Sequence, residues 1–232
     1  MFNTQGLRFI PMGCSCFNQF QLEKCFAEGA PRRGLFDWNI TTPKSTAEIF
    51  DAAADGSLEA RLLDGDAYDY VTDGEGEARL RNRHFAGFYL WHAHPPSDER
   101  LDRHVRSMAF ASKLRWIWKS TFAERENCVL VWSNIQPNLR LTTRGTPSAW
   151  EDFHLTVDRY MAIKHRAEAS YFAPKYRFFV RSDAVAAELL DADDVEVIDL
   201  EEKNNLSGHS GLYRPYLKQL LREGEEVVSA VA

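Results

Sequence analysis

Apolar and polar positions along the chain follow two rhythms. Segments 7–12, 85–91, 128–132, 176–180 and 195–200 are short apolar runs with the length and aromatic or β-branched content of buried strands. Between them lie stretches with helical spacing. The clearest is 98–125, where Leu101, Val105, Met108 and Ala111, then Leu114, Trp118 and Phe122, mark one face. A helix is predicted over 17–28, ended by Gly29-Ala30-Pro31, and another from the capping box Ser45-Thr46-Ala47-Glu48 to near Gly56. A short helix fits 58–63. Ser148-Ala149-Trp150-Glu151 reads as a second capping box, opening a helix that bears Trp150, Phe153, Val157, Tyr160 and Met161. Helices are also predicted over 183–190 and 213–222. Residues 64–84 are polar, hold Gly65, Gly74 and Gly76, and read as an excursion or hairpin. Residues 133–147, with Pro137, Gly145 and Pro147, read as a loop, and the tail 224–232 as a frayed end.

Strand and helix alternate throughout. That order predicts an α/β fold: three layers, a mostly parallel open sheet, and helices on both faces. No repeat, low-complexity segment or linker divides residues 1–232, so a single domain is expected.

Composition changes this picture little but excludes several classes. Hydrophobic residues make up 44% and charged residues 27%, which excludes wholesale disorder. Lys+Arg number 28 against 34 Asp+Glu, a net charge of -6. That balance argues against a nucleic-acid or anionic-membrane partner, since both call for basic patches. No apolar run reaches the roughly 18 residues of a membrane span, and residues 1–6 lack a signal-peptide pattern, so a cytoplasmic location is expected. The cysteines are Cys14, Cys16, Cys25 and Cys128. Three of them crowd together near the N-terminus, unlike a secreted disulfide framework, so thiols are expected.

In open parallel sheets ligands bind beyond the carboxyl ends of the strands. On that rim the predicted strands would place Gly13-Cys14-Ser15-Cys16, then His92 and His94, then Ser133 and Asn134, then Arg181-Ser182-Asp183, and last Glu201, Glu202, Asn204 and Asn205, with His209 shortly beyond. Cys16 stands at a strand, a Gly turn and a helix start, where the helix dipole favours a thiolate. It is the candidate nucleophile. The bland alternative is a buried cysteine acting as a small hydrophobe. Cys14 competes for the role but lies nearer the sheet. A phosphatase loop is excluded, because Leu22 and Phe20 stand where an Arg would be needed.

His92 and His94, two apart on an extended segment, point to one side and could supply a general base. With Asp98 they could instead hold a metal, or pack simply as loop histidines. His209, within Ser207-Gly208-His209-Ser210-Gly211, is a mobile base or a surface residue. Asp37 and Asn134 could orient a base, or Asn134 could donate to an oxyanion; turn and capping uses compete. P-loop, dinucleotide, Gly-x-Ser-x-Gly and His-Glu-x-x-His motifs do not occur. No cofactor or metal is expected.

Gly13-x-x-Cys16, Gln21-Leu22 and Phe36-Asp37-Trp38 stand in the order of a bacterial family of unknown function catalogued as papain-like cysteine peptidases, which the chain resembles. That family continues with a His at the end of a middle strand, matched here by Trp91-His92-Ala93-His94-Pro95. The resemblance is specific over about residues 7–40 and suggestive to about 135. Two positions depart from it: Leu35 stands for the usual Pro, and Ala93 for the Asp that usually follows the His. The resemblance implies Cys16 as nucleophile and His92 as its partner, with His94 a rival. The expectation is a cysteine-dependent hydrolase of peptidase or amidase type, or an acyltransferase, acting on a small-molecule, peptide or glycan-linked substrate. Two alternatives stay open. One is a non-catalytic ligand-binding module. The other is a serine esterase of SGNH-like layout using Ser15 and His209, an analogy of layout only.

Overall fold

The structure, a computed structural model, describes residues 6–26, 34–37, 39–91, 101–136, 138–199, 211–219 and 221. Its elements run β1 (Arg8–Gly13), α1 (Ser15–Cys25), β2 (Ile40–Thr41), α2 (Pro43–Ala54), α3 (Leu58–Leu63), β3 (Tyr68–Thr72), β4 (Ala78–Asn82), β5 (Phe88–Leu90), α4 (Leu101–Val105), α5 (Met108–Phe122), β6 (Cys128–Ser133), α6 (Leu139–Thr143), α7 (Val157–Glu168), β7 (Lys175–Arg181) and β8 (Val195–Ile198). Among the described residues, no helix is long and apolar enough to cross a membrane.

Four strands form a parallel sheet in the order β1-β6-β7-β8. β6 is buried at every position, as a central strand covered on both faces must be. Its side chains divide by the two-residue period of the strand. Cys128, Leu130 and Trp132 join one apolar cluster with residues of α2, α5 and α7, including Phe50, Leu114 and Ile163. Val129 and Val131 join another with Phe17 and Leu22 of α1 and with Tyr213 and Leu217. Each fully buried large apolar side chain contributes about 1.5–3 kcal/mol, so both faces of β6 count heavily.

The remaining strands form a separate antiparallel sheet, in the order β2-β5-β4-β3. The expectation of one mostly parallel sheet is therefore met only in part: β5, read from its aromatic content as another parallel strand, runs in this second sheet. The polar stretch 64–84 is its β3–β4 hairpin. Strand length and apolarity identify β5 but carry no information on its partners, which tertiary pairing decides.

The two sheets meet at the end of β1. Cys14 bridges Ile40, and the Gly13 N–H donates to Thr41 Oγ1 at 2.9 Å. Gly13 has φ +81. A Cβ there would stand 2.1 Å from the Ser133 carbonyl oxygen. That same oxygen accepts from the Cys14 N–H at 2.7 Å. A side chain at residue 13 would thus be strained twice, by its backbone conformation and by β6.

Local capping shifts several helix boundaries. α2 begins at Pro43, with Thr42 as its cap; Ser45 donates its N–H to Thr42 Oγ1 at 3.2 Å. The single helix expected over 98–125 is broken, because Ser107 caps α5 by accepting from the Phe110 N–H. The helix expected from Ser148 is a 3-10 turn, Trp150–Phe153, followed by a break where Leu155 bridges Val185 and Thr156 caps α7. The same bridge splits the helix expected over 183–190 into two 3-10 turns.

Gly13→Ala is expected to lower folding stability by about 3 kcal/mol or more, because backbone rather than a flexible side chain must yield. Urea denaturation checks this; a loss within 0.5 kcal/mol, roughly that of an ordinary surface substitution, would contradict the close approach.

Candidate functional site

The first turn of α1 begins beyond the carboxyl end of β1. Cys14 is its N-cap and makes no side-chain cap hydrogen bond. Cys16 is therefore the second helical residue, near the end where free N–H groups and the dipole favour negative charge. Asn18 holds this turn down: its Nδ2 donates to the carbonyls of Met12 at 3.0 Å and Val131 at 2.6 Å, tying the helix to β1 and β6. Asn18 is fully buried. Sequence reasoning passed over it; the visible signal was a short amide one turn beyond a helix start.

Cys16 is only 7% exposed. It packs in an apolar cluster with Cys14, Ile40, Tyr89, Trp91, Leu139 and Phe153. Four parts of the chain therefore meet there: the start of α1, the second sheet with Ile40, Tyr89 and the adjoining Trp91, the start of α6, and the 3-10 turn through Phe153. Tyr89 is fixed by a 2.7 Å hydrogen bond between its hydroxyl and Ser148 Oγ. A buried cation lies alongside. The Arg79 guanidinium stands 4.4 Å over the Trp91 ring, and Nε binds Asp73 Oδ2 at 2.8 Å. Arg79 was not among the sequence candidates, because it sits in a stretch that reads as solvated.

Burial pushes the Cys16 thiol up to about 12, against the pull of the Arg79 charge. Burial likewise holds Cys14 well above its ordinary value; the neighbouring Cys16 adds to this and Arg181 opposes it. In this arrangement both are thiols at neutral pH, not thiolates. Cys25 and Cys128 are also raised, chiefly by burial, and all four cysteines are free of disulfides.

The other candidates are dispersed. Asn134 is fully buried, and its amide braces the loops beyond the sheet. Nδ2 donates to the carbonyls of Phe153 and Ala184, and Oδ1 accepts from the Arg181 N–H at 2.9 Å. Asp37 closes a turn by accepting from the Gly34 N–H at 2.7 Å. It lines a small cleft with Arg8, Phe9, Ile10 and Pro11, along the body of β1 rather than beyond its end. Ser15 opens α1. His92, His94 and His209, and with them the proposed His92–His94–Asp98 metal set, lie outside the described residues. What is described is where the chain arrives before them: residue 91 packs in the Cys16 cluster.

The rim carries a further cationic group that the sequence placed correctly at the end of its strand. Arg181 binds Asp183 through Nε at 2.9 Å and Nη2 at 3.0 Å. Arg140 reaches the same carboxylate at 2.7 Å, and both guanidiniums stack on Trp150. The Arg181 hydrogen bond is the main cause holding Asp183 below its ordinary value.

Two predictions follow from the thiols. Iodoacetamide labelling of Cys16 in the native protein should rise about tenfold per pH unit between pH 7 and 9, because reaction tracks the thiolate fraction. A plateau below pH 8.5, read by mass spectrometry, would contradict the buried thiol. The folded Cys16 value is raised above its ordinary 9.0, so its contribution to stability is full below about pH 9. Above that the unfolded chain ionises first, and the contribution is lost as pH rises toward 12. Urea midpoints should therefore fall between pH 8 and pH 10.5, and fall less in Cys16→Ala.

Set beside known proteins, the chain matches no family model, no curated protein and no solved structure.

Proposed function

We propose that the chain is a cysteine-dependent hydrolase or acyltransferase with Cys16 as its nucleophile. The observation that carries this reading is the cluster at the start of α1. It sets a helix N-terminus, a cysteine, a buried guanidinium and the residue just before His92 side by side. In the same reading the two apolar faces of the parallel sheet are the two sides of a three-layer arrangement, with the nucleophile following its first strand.

The raised Cys16 value fits one thiol mechanism better than the other. A preformed thiolate–imidazolium pair would need a lowered value. A buried thiol fits general-base attack, in which the proton leaves as the sulfur attacks. Cys16 Sγ bonds to the acyl carbonyl carbon, and its proton passes to an imidazole. His92 is first choice for that base by the family resemblance, with His94 and His209 as rivals. The imidazolium then protonates the leaving amine or alcohol as its bond to the acyl carbon breaks. Water or an acceptor nucleophile cleaves the thioester and returns the proton to the thiol. Backbone N–H groups in the first turn of α1 would be the donors to the oxyanion. Asp37 and Asn134 hold turns and loops around this region and act at most through them.

The burial of Cys16 also favours a second reading: a non-catalytic binding module, in which Trp91 and Trp150 form an aromatic rim and the cysteine is packing. One experiment separates the two. Hydrolysis of an activated ester such as p-nitrophenyl acetate should fall by about a thousandfold or more in Cys16→Ala, the scale of losing a nucleophile. The circular dichroism spectrum should be unchanged. Turnover retained in Cys16→Ala overturns Cys16 as the nucleophile; no turnover in the wild type across peptide, amide and ester substrates leaves the binding module standing.

A further inference from the structure

The β3–β4 hairpin carries one buried cation, Arg79, against Trp91 of the Cys16 cluster. Asp73 ends β3. Its side chain is fully buried, and Oδ1 accepts from the N–H groups of Glu75 and Glu77, each at 2.9 Å. Oδ2 is left to bind Arg79 Nε at 2.8 Å. The guanidinium stands over the Trp91 ring, 4.4 Å from its centroid, and Nη1 donates to the Trp91 carbonyl at 3.4 Å. The turn itself is docked. A Cβ on Gly74 would stand 1.9 Å from the Leu141 carbonyl oxygen of α6, the helix whose Leu139 also packs in the Cys16 cluster.

We propose that Arg79, carried by this hairpin and stacked on Trp91, is the positioning cation of the Cys16 sulfur, stabilising the negative charge that forms there as the thiol loses its proton. The inference rests on the reading of Cys16 as nucleophile. Its physical basis is the low dielectric of the site. Burying a guanidinium is costly unless it is paired, and a cation needed only to pin the hairpin would do so as well at the surface. Inside, its field on a nearby sulfur is screened little. It is also the largest influence drawing the Cys16 thiol down against burial. Asp73 sets how much of that field remains. It holds Arg79 in place while neutralising part of its charge.

The pair makes opposite predictions for two substitutions. In Arg79→Met the Cys16 thiolate loses its cation, and native-state labelling by iodoacetamide at pH 8 should slow by about tenfold, equivalent to one pH unit. In Asp73→Asn the amide oxygen still accepts from Glu75 and Glu77, but Nδ2 cannot accept from Arg79; the guanidinium, still held over Trp91, loses its counter-charge, and labelling should speed several-fold. A purely structural role gives a different pattern: loosening the hairpin exposes Cys16 in both variants and speeds both. Both variants faster, or neither changed, overturns the proposal. Should Arg79→Met not fold, the Asp73→Asn and Arg79→Met double variant removes both charges without stranding either. It must then label more slowly than Asp73→Asn for the proposal to stand. Labelling is read without substrate, so this result is independent of the Cys16→Ala turnover experiment.

Discussion

The structure depends on the close approach of β1 and β6 at their carboxyl ends. Gly13 lets the chain turn with a positive φ while its Cα lies against the Ser133 carbonyl. From that point three things follow at once. The Cys14 N–H can reach Ser133, α1 can start directly over the sheet, and Ile40-Thr41 can bridge to Cys14 and Gly13. Asn18 and Tyr213 complete the seal, Asn18 on two strand carbonyls and Tyr213 on Ser133 Oγ. Buried polar groups are costly unless paired. A junction of this kind is therefore specific: moving any one member leaves the others without partners.

That junction also decides the chemistry available. It brings a second sheet against the rim of the first. The space beyond β1 is consequently covered, where an open parallel sheet would leave it to solvent. Cys16 has two opposed influences as a result. The helix start and Arg79 favour a thiolate, and enclosure by Tyr89, Trp91, Leu139 and Phe153 disfavours it. Burial wins, so the resting sulfur is protonated. Ionisation of that sulfur therefore requires a base to take its proton.

The rim shows the same pairing of aromatic and cation twice. Arg79 lies on Trp91, and Arg140 and Arg181 lie on Trp150. Guanidinium groups suit these positions because they are planar, weakly hydrated and able to bind a carboxylate while stacking. Asp73 and Asp183 fill that second role. Two walls of the region beyond the sheet are thus tied together by side-chain networks reaching from β4, α6 and β7.

Most elements of the fold were legible in the sequence, because burial imposes a period that composition reveals. β1, β6, β7 and β8 read as strands because both faces are apolar, and α5 read as a helix over most of its length. A helix after the Gly13 turn was legible too, but its start was read at 17, whereas α1 begins at Ser15 and so includes Cys16 in its first turn. What only tertiary structure decided was partnership. Nothing in the residues of β5 distinguishes a parallel from an antiparallel neighbour, since both bury the same aromatic side chains. The hairpin at 64–84 looked solvated because its charges are written in the sequence and their burial is not. Arg79 could become a site residue only once Asp73 and Trp91, distant along the chain or separated by a turn, were folded onto it. The cysteine state is the sharpest case. Its position at a helix start argues for a thiolate. The enclosure that reverses this comes from four residues of three other segments, and enclosure is a property of packing that no local pattern carries.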